Sequence, residues 1–191
     1  MKKFVIAAVA LAVAGSAAPI SSRAANTAPA KFTVTSSALK NGGKLAQKYA
    51  GNNPASKNCD GQGISFPLAW KNAPAATKSY AITMVDLVGR NGLGVIHWVA
   101  YGIPASKTSL KEGEASQPAK DIVGGKNFPG TMVYYGPCPP LTGGPHPYTV
   151  VVIATDLATD ALQPGMTYAE LMGALNGHAL DAASFVANYR N

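Results

Sequence analysis

The chain has 191 residues, with 16 basic against 9 acidic side chains and a formal charge of +7. That length closes one hydrophobic core, and neither an internal repeat nor a linker divides it. The lysines are scattered and no basic cluster interleaves aromatic residues, which argues against a nucleic-acid binder. What is left is a mildly basic surface able to attract anions.

The N-terminus reads as an export leader. Met1-Lys2-Lys3 is a positive head, Phe4 to Ala14 is an apolar run, and Gly15-Ser16-Ala17-Ala18 supplies small residues for a signal peptidase. Those 11 apolar residues are too few for a bilayer anchor, which takes roughly 20. Cleavage is expected after Ala17 or near Ala25, giving a signal peptide over residues 1–25 and a single domain over 26–191. Residues 1–25 hold Lys2, Lys3 and Arg23 and no acid, so from Asn26 onward 13 basic residues face 9 acidic ones, a balance of +4. The product is expected in a periplasm, or secreted beyond it.

Strand signals follow. Lys31 to Thr35 alternates, as does Tyr80 to Asp86, while Val95 to Tyr101 and Tyr148 to Thr155 are rich in β-branched and aromatic residues. Gly89 to Gly94 forms the tightest turn cluster, and Gly102-Ile103-Pro104 is read as stopping the strand before it. Strands without intervening helices predict a mainly β fold, an antiparallel sandwich. Thr167-Tyr168-Ala169-Glu170 is a capping box that opens a short helix ended by Asn176-Gly177. A second helix is expected from about Ala179 to Tyr189, with Leu180, Ala183, Val186 and Ala187 at helical spacing and His178 as a structural residue at its start.

Cys59 and Cys138 form an even pair in a chain that leaves the reducing cytosol, so one disulfide is a reasonable hypothesis. Two free thiols near one site, as metal ligands or nucleophiles, are the alternative. The stretch from Gly136 to Tyr148 is stiffened by prolines, turned by Gly143-Gly144, and presents His146 and Tyr148 at the mouth of a strand.

Parity brings the titratable groups together. The turn from Leu87 to Gly94 makes a hairpin, so Asp86 leaves one strand where the next begins, and His97 lies just inside that next strand. His146 joins them if its strand runs in the same direction as the one holding His97. One carboxylate and two imidazoles would then line a rim walled by the proline-rich loop and by Cys59-Asp60-Gly61. Such a set can bind a phosphate or carboxylate, and zinc also accepts two histidines and an acid. A hydrogen bond from His97 to Asp86 for stability alone is the plainer alternative. No Gly-x-Ser-x-Gly elbow supports nucleophilic catalysis.

These pieces, taken in order, resemble the phosphatidylethanolamine-binding protein family in its bacterial Raf-kinase-inhibitor-like branch. They are Cys59-Asp60-Gly61 leading to Ser65 through Trp70, Tyr80 to Asp86, and His97-Trp98-Val99 ending in Ile103-Pro104. Tyr135 through Pro140, His146-x-Tyr148 and Gly177-His178-x-Leu180 with Tyr189 complete the set. The resemblance implies a β-sandwich of two antiparallel sheets with peripheral and C-terminal helices, and a small anion pocket at one end. It implies that Asp86, His97, Pro140, His146 and Tyr148 line that pocket, with Tyr135, Gly136 and Cys138 in the adjoining loop. Two departures stand out. Asp86-Leu87-Val88-Gly89-Arg90 replaces the usual Asp-x-Asp-Ala-Pro, trading a second carboxylate for a cation near the mouth. Phe66 stands where proline is usual, which predicts a less stiff, more apolar loop.

The expected function is that of an exported, non-catalytic protein that needs no cofactor and no metal. It binds a small anion such as phosphate or a phosphorylated headgroup. An inhibitor or interaction protein acting on a kinase or protease is a second expectation, and a metal-assisted hydrolase a third. No nucleic-acid partner and no stable membrane anchor are expected.

Overall fold

The computed structural model describes Met1 and residues 30–191. The leader and cleavage sites expected over residues 1–25 lie, Met1 aside, outside the described residues. Two sheets form the fold. The smaller has strand order β1-β3-β6, from β1 (Thr33–Thr35), β3 (Leu68–Lys71) and β6 (Ser109–Leu110). The larger has order β2-β9-β8-β4-β5-β7. Its members are β2 (Gly43–Lys44), β4 (Ser79–Asp86), β5 (Val95–Pro104), β7 (Val123–Gly124), β8 (His146–Thr155) and β9 (Ala179–Tyr189). All pairings are antiparallel except β2 with β9.

Alternation along the central strands builds two cores. Tyr80, Ile82 and Met84 of β4, Trp98 of β5 and Tyr148, Val150 and Val152 of β8 face the smaller sheet, where Phe32, Phe66, Leu68 and Trp70 meet them. The intervening residues Ala81, Val99, Tyr101 and Ile153 pack on the other face against Leu171 and Leu175 of the helix Tyr168–Leu175. That helix carries the expected capping box: the Thr167 hydroxyl accepts from the Glu170 amide at 3.3 Å, and the Glu170 carboxylate accepts from the Thr167 amide at 2.7 Å. Covered on both faces, β4 is buried along nearly its whole length. Truncating Ile82 to alanine would cost about 2–5 kcal/mol.

Three expectations are corrected. Residues 179–189 are not a helix but strand β9, paired with β8 from Ala179 to Tyr189. Alternating burial of Phe185, Ala187 and Tyr189 fits a period of two, and β8 needs a partner for its outer backbone groups. His178 therefore lies in a turn before a strand, exposed, with Nδ1 2.8 Å from Asp156 Oδ1. Gly102 does not stop β5. It takes a positive φ of 62° beside an irregularity in the β4–β5 register, and the strand continues to Pro104 opposite Ser79. Phe66 anchors its loop instead of loosening it: buried at 1% exposure, it meets Tyr49, Tyr134 and Phe185 edge to face.

Candidate functional site

Strand β4 is antiparallel to both β5 and β8, so β5 and β8 run the same way and open at the sandwich tip where β4 ends. Asp86 is the last residue of β4, paired with Val95 on one side and Tyr148 on the other. Its Oδ1 accepts the amides of Val88 at 3.1 Å and Gly89 at 3.0 Å, folding the chain back over the carboxylate. Its Oδ2 accepts from His146 Nδ1 at 2.7 Å. A Cβ on Gly89 would lie 2.8 Å from both Asp86 Oδ2 and Val95 Cγ2, so the turn fits closely only as glycine. Arg90 and Asn91 then adopt left-handed backbone, φ 54° and 59°, a strained pairing of the sort that gathers at functional sites.

His97 reaches this tip through a bulge. Met84 pairs with Trp98 and Val85 with Ile96, leaving His97 as the extra residue of β5. Ile96 packs with the outer core and Trp98 with the inner one, while His97 lies against Tyr148, ring centroids 5.0 Å apart. The Tyr135 ring stacks on His97 at 5.5 Å. The Tyr135 carbonyl lies 3.0 Å from His97 Nδ1. A carbonyl only accepts, so Nδ1 carries the hydrogen and, in the neutral ring, Nε2 carries a lone pair. Burial holds His97 below the ordinary histidine range, against the opposing pull of the Tyr135 carbonyl and the Asp86 charge. Desolvation, and then the charge of Asp86, push the Tyr148 phenol far above its usual range. Its hydroxyl is buried with no hydrogen-bond partner among the described residues.

These groups share a cavity of about 330 Å³. Asp86, His97, Tyr135, Cys138, Pro140, His146 and Tyr148 all line it. Gly136 does not: it is buried behind the wall, so close to the backbone of residues 49–51 that no side chain fits there. Cys59 and Cys138 are joined as a disulfide, with the Tyr135 hydroxyl beside both sulfurs, which ties the proline-rich wall to Asn58. Asp60 and Gly61, expected on the rim, lie elsewhere. Asp60 accepts from Gln47 at 3.0 Å beside a separate groove, and Gly61 packs against Ala50. The plainer alternative, a hydrogen bond from His97 to Asp86, is not formed: the carboxylate bonds His146 while His97 bonds the Tyr135 carbonyl.

Sequence reasoning missed Val88, Asn91, Val95 and Phe128, which line the mouth. The Arg90 guanidinium lies over the Phe128 ring, 5.4 Å from its centroid. Val88 and Phe128 of this lining are exposed, as are Leu87 and Leu93 in the turn that carries Val88, a concentration of apolar surface beside a polar hollow. The signal for Phe128 was an aromatic residue set in a turn, Asn127-Phe128-Pro129-Gly130. Among the described residues no group of three or more histidine, cysteine or acidic side chains is arranged to hold a metal ion.

An antiparallel sandwich whose tip holds a carboxylate, two imidazoles and a buried phenol around one small hollow defines a class of β-sandwich proteins. Residues 35–190 match the family model described as phosphatidylethanolamine-binding protein, and the chain belongs to that family. It is 36% identical over 139 residues to a UPF0098 protein of Methanothermobacter thermautotrophicus, covering 72% of this chain and 89% of that one. It is 32% identical over 157 residues to YbcL of Escherichia coli, covering 80% and 81% of the two chains. The crystal structure of YbcL, described as a new member of the mammalian PEBP family, superposes with a TM-score of 0.75 at 29% identity, over 85% of this chain and 99% of that one. CT736 of Chlamydia trachomatis gives a TM-score of 0.70 at 28% identity, over 84% and 97%.

Proposed function

We propose that this chain is an exported, non-catalytic receptor for a small oxyanion such as phosphate or a phosphorylated headgroup. The observation that carries the reading is the convergence of the buried Asp86–His146 pair, a second imidazole and an unpartnered phenol on one hollow. His146 gives its Nδ1–H to Asp86, so as imidazolium it turns a second donor, Nε2–H, away from the carboxylate. The Tyr148 ring closes the floor, and Arg90 adds charge at the mouth. Among the described residues the cavity lining contains no serine or threonine, and its one cysteine is in the disulfide, which supports binding over nucleophilic chemistry. The leader and the disulfide both support a location outside the reducing cytosol.

Calorimetric titration with phosphate and phosphoethanolamine at about pH 6 and about pH 8 tests the reading. Affinity should be several-fold higher at the lower pH, where imidazoles accept protons, and fall about tenfold or more in His146→Ala. Absent heats, or heats unchanged by that substitution, contradict it.

The apolar surround favours a second reading, a protein partner that covers Leu87, Leu93 and Phe128. Capture of a partner that survives loss of both pocket imidazoles and disappears in Leu93→Asp would favour it.

A further inference from the structure

Three Asn-Gly pairs occur in this chain, Asn41-Gly42, Asn91-Gly92 and Asn176-Gly177. In such a pair the glycine has no side chain to keep its amide nitrogen away from the asparagine carboxamide. Asn91 lines the tip hollow, next to Arg90. We infer that Asn91 is a site of spontaneous deamidation, and that the carboxylate it gains weakens the hold of the hollow on anions. The chemistry stands apart from the oxyanion-binding reading, whereas its consequence for affinity rests on that reading.

Their surroundings separate the three pairs. Asn41 is locked, because its Oδ1 accepts from the Val186 amide at 2.8 Å and the Gly42 amide donates to the Val186 carbonyl at 2.8 Å. Both the carboxamide and the attacking nitrogen are held there. Asn91 is exposed, and the side-chain hydrogen bonds of its turn run from the Val88 and Gly89 amides to Asp86. Its own carboxamide has no partner among the described residues. The Gly92 amide is tied by one bond of 3.2 Å to the Val88 carbonyl, at the long end of the N–H···O range. Nothing lies within 4 Å of the place a Gly92 Cβ would take, so water and hydroxide reach the pair. Asn176-Gly177 is open too, with Asn176 exposed and the Gly177 amide unpartnered among the described residues. That pair sits between the helix and β9, at the end of the sandwich away from the hollow.

The reaction needs only water. Hydroxide takes the Gly92 amide proton and the nitrogen attacks Asn91 Cγ. A Cγ–N bond forms, the carboxamide C–N bond breaks, and ammonia leaves with a proton from water, so that hydroxide is returned and a succinimide remains. Water then opens the ring at either carbonyl, giving aspartate or isoaspartate at position 91. Each product puts a negative charge at the mouth where a neutral amide stood. That charge offsets Arg90 and repels an incoming anion. Isoaspartate also lengthens by one methylene the turn whose amides bind Asp86.

The test is incubation of the wild-type protein at mildly alkaline pH, with peptide mapping by mass spectrometry. Calorimetry with inorganic phosphate follows on the forms separated by ion exchange. Asn91 and Asn176 should each convert to the acid several-fold faster than Asn41. The form altered at 91 should bind phosphate about two- to fivefold more weakly than fresh protein, and the form altered at 176 as tightly as fresh protein. Asn91→Asp should reproduce the loss, and Asn91→Gln should lose no affinity on incubation. Conversion of Asn41 as fast as Asn91 would overturn the site. Full affinity in the form altered at 91 would overturn the consequence. If fresh protein binds no phosphate, the oxyanion reading fails and takes the consequence with it, while the peptide map still decides the site. Should either variant not fold, the separated wild-type forms decide.

Discussion

His146 meets Asp86 at 2.7 Å where β8 begins, and His178 meets Asp156 at 2.8 Å just past its end. The residue types and distances are nearly the same. The first pair's side chains are 18% and 4% exposed, the second's 47% and 41%. At the tip, two further amides, a second imidazole and a disulfide-tied wall enclose the pair. At the other end, water competes for both side chains and screens them. A histidine–aspartate contact is thus no guide to function by itself, and what surrounds it decides.

The covalent tie is where that contrast should break most widely. Cys59 and Cys138 are 79 residues apart, and in the chain-entropy model opening such a loop costs about 4 kcal/mol. Cys59→Ala/Cys138→Ala should lower the urea midpoint accordingly and weaken phosphate binding, because the loop carrying Cys138, Pro139 and Pro140 loses its anchor. Unchanged binding in a folded variant would show that the tie only stabilises.

Next in size is the carboxylate. Asp86→Ala strands two buried amides and an imidazole and should cost about 2–4 kcal/mol by urea unfolding. Asp156→Ala should cost a few tenths of a kcal/mol, as exposed pairs do. Equal losses would remove the distinction between the two ends.

Smaller than the loss at Asp86 is the effect of pH on His97. Its pKa is lower in the folded protein than in the unfolded chain, so below about pH 6.5 the unfolded state binds more protons. His97 therefore contributes stability that is fully present above pH 6.5 and declines as pH falls toward its folded value. Urea midpoints in anion-free buffer at about pH 7.5 and pH 5.5 should show a loss on the order of 1 kcal/mol, reduced in His97→Gln. A loss of the same size in that variant would assign it to other groups.

The tip was legible in the sequence because a hairpin and alternating strands fix which ends meet: Asp86 before a turn, His97 after it, His146 at the head of a strand. The identity of the hydrogen-bond partners was not. His146 reaches Asp86 because it shares a face with Tyr148, which the register sets opposite Asp86. The bulge that turns His97 inward has no marker in Ile96-His97-Trp98, and strict alternation would have sent His97 away from the core that holds Trp98. Residues 179–189 fit periods of both two and three to four, because alanine is at home on either kind of face. Only the open edge of β8 resolved that choice.

The most direct test of the central claim is a titration of isotope-labelled protein with phosphate, followed by amide chemical shifts. Saturable shifts confined to residues 86–91, 95–97, 135–140 and 146–148 are predicted, with His178 and the groove at Lys44, Gln47 and Arg190 unmoved. Shifts centred on that groove or on the Asp156–His178 end, or none at the tip, would contradict the account.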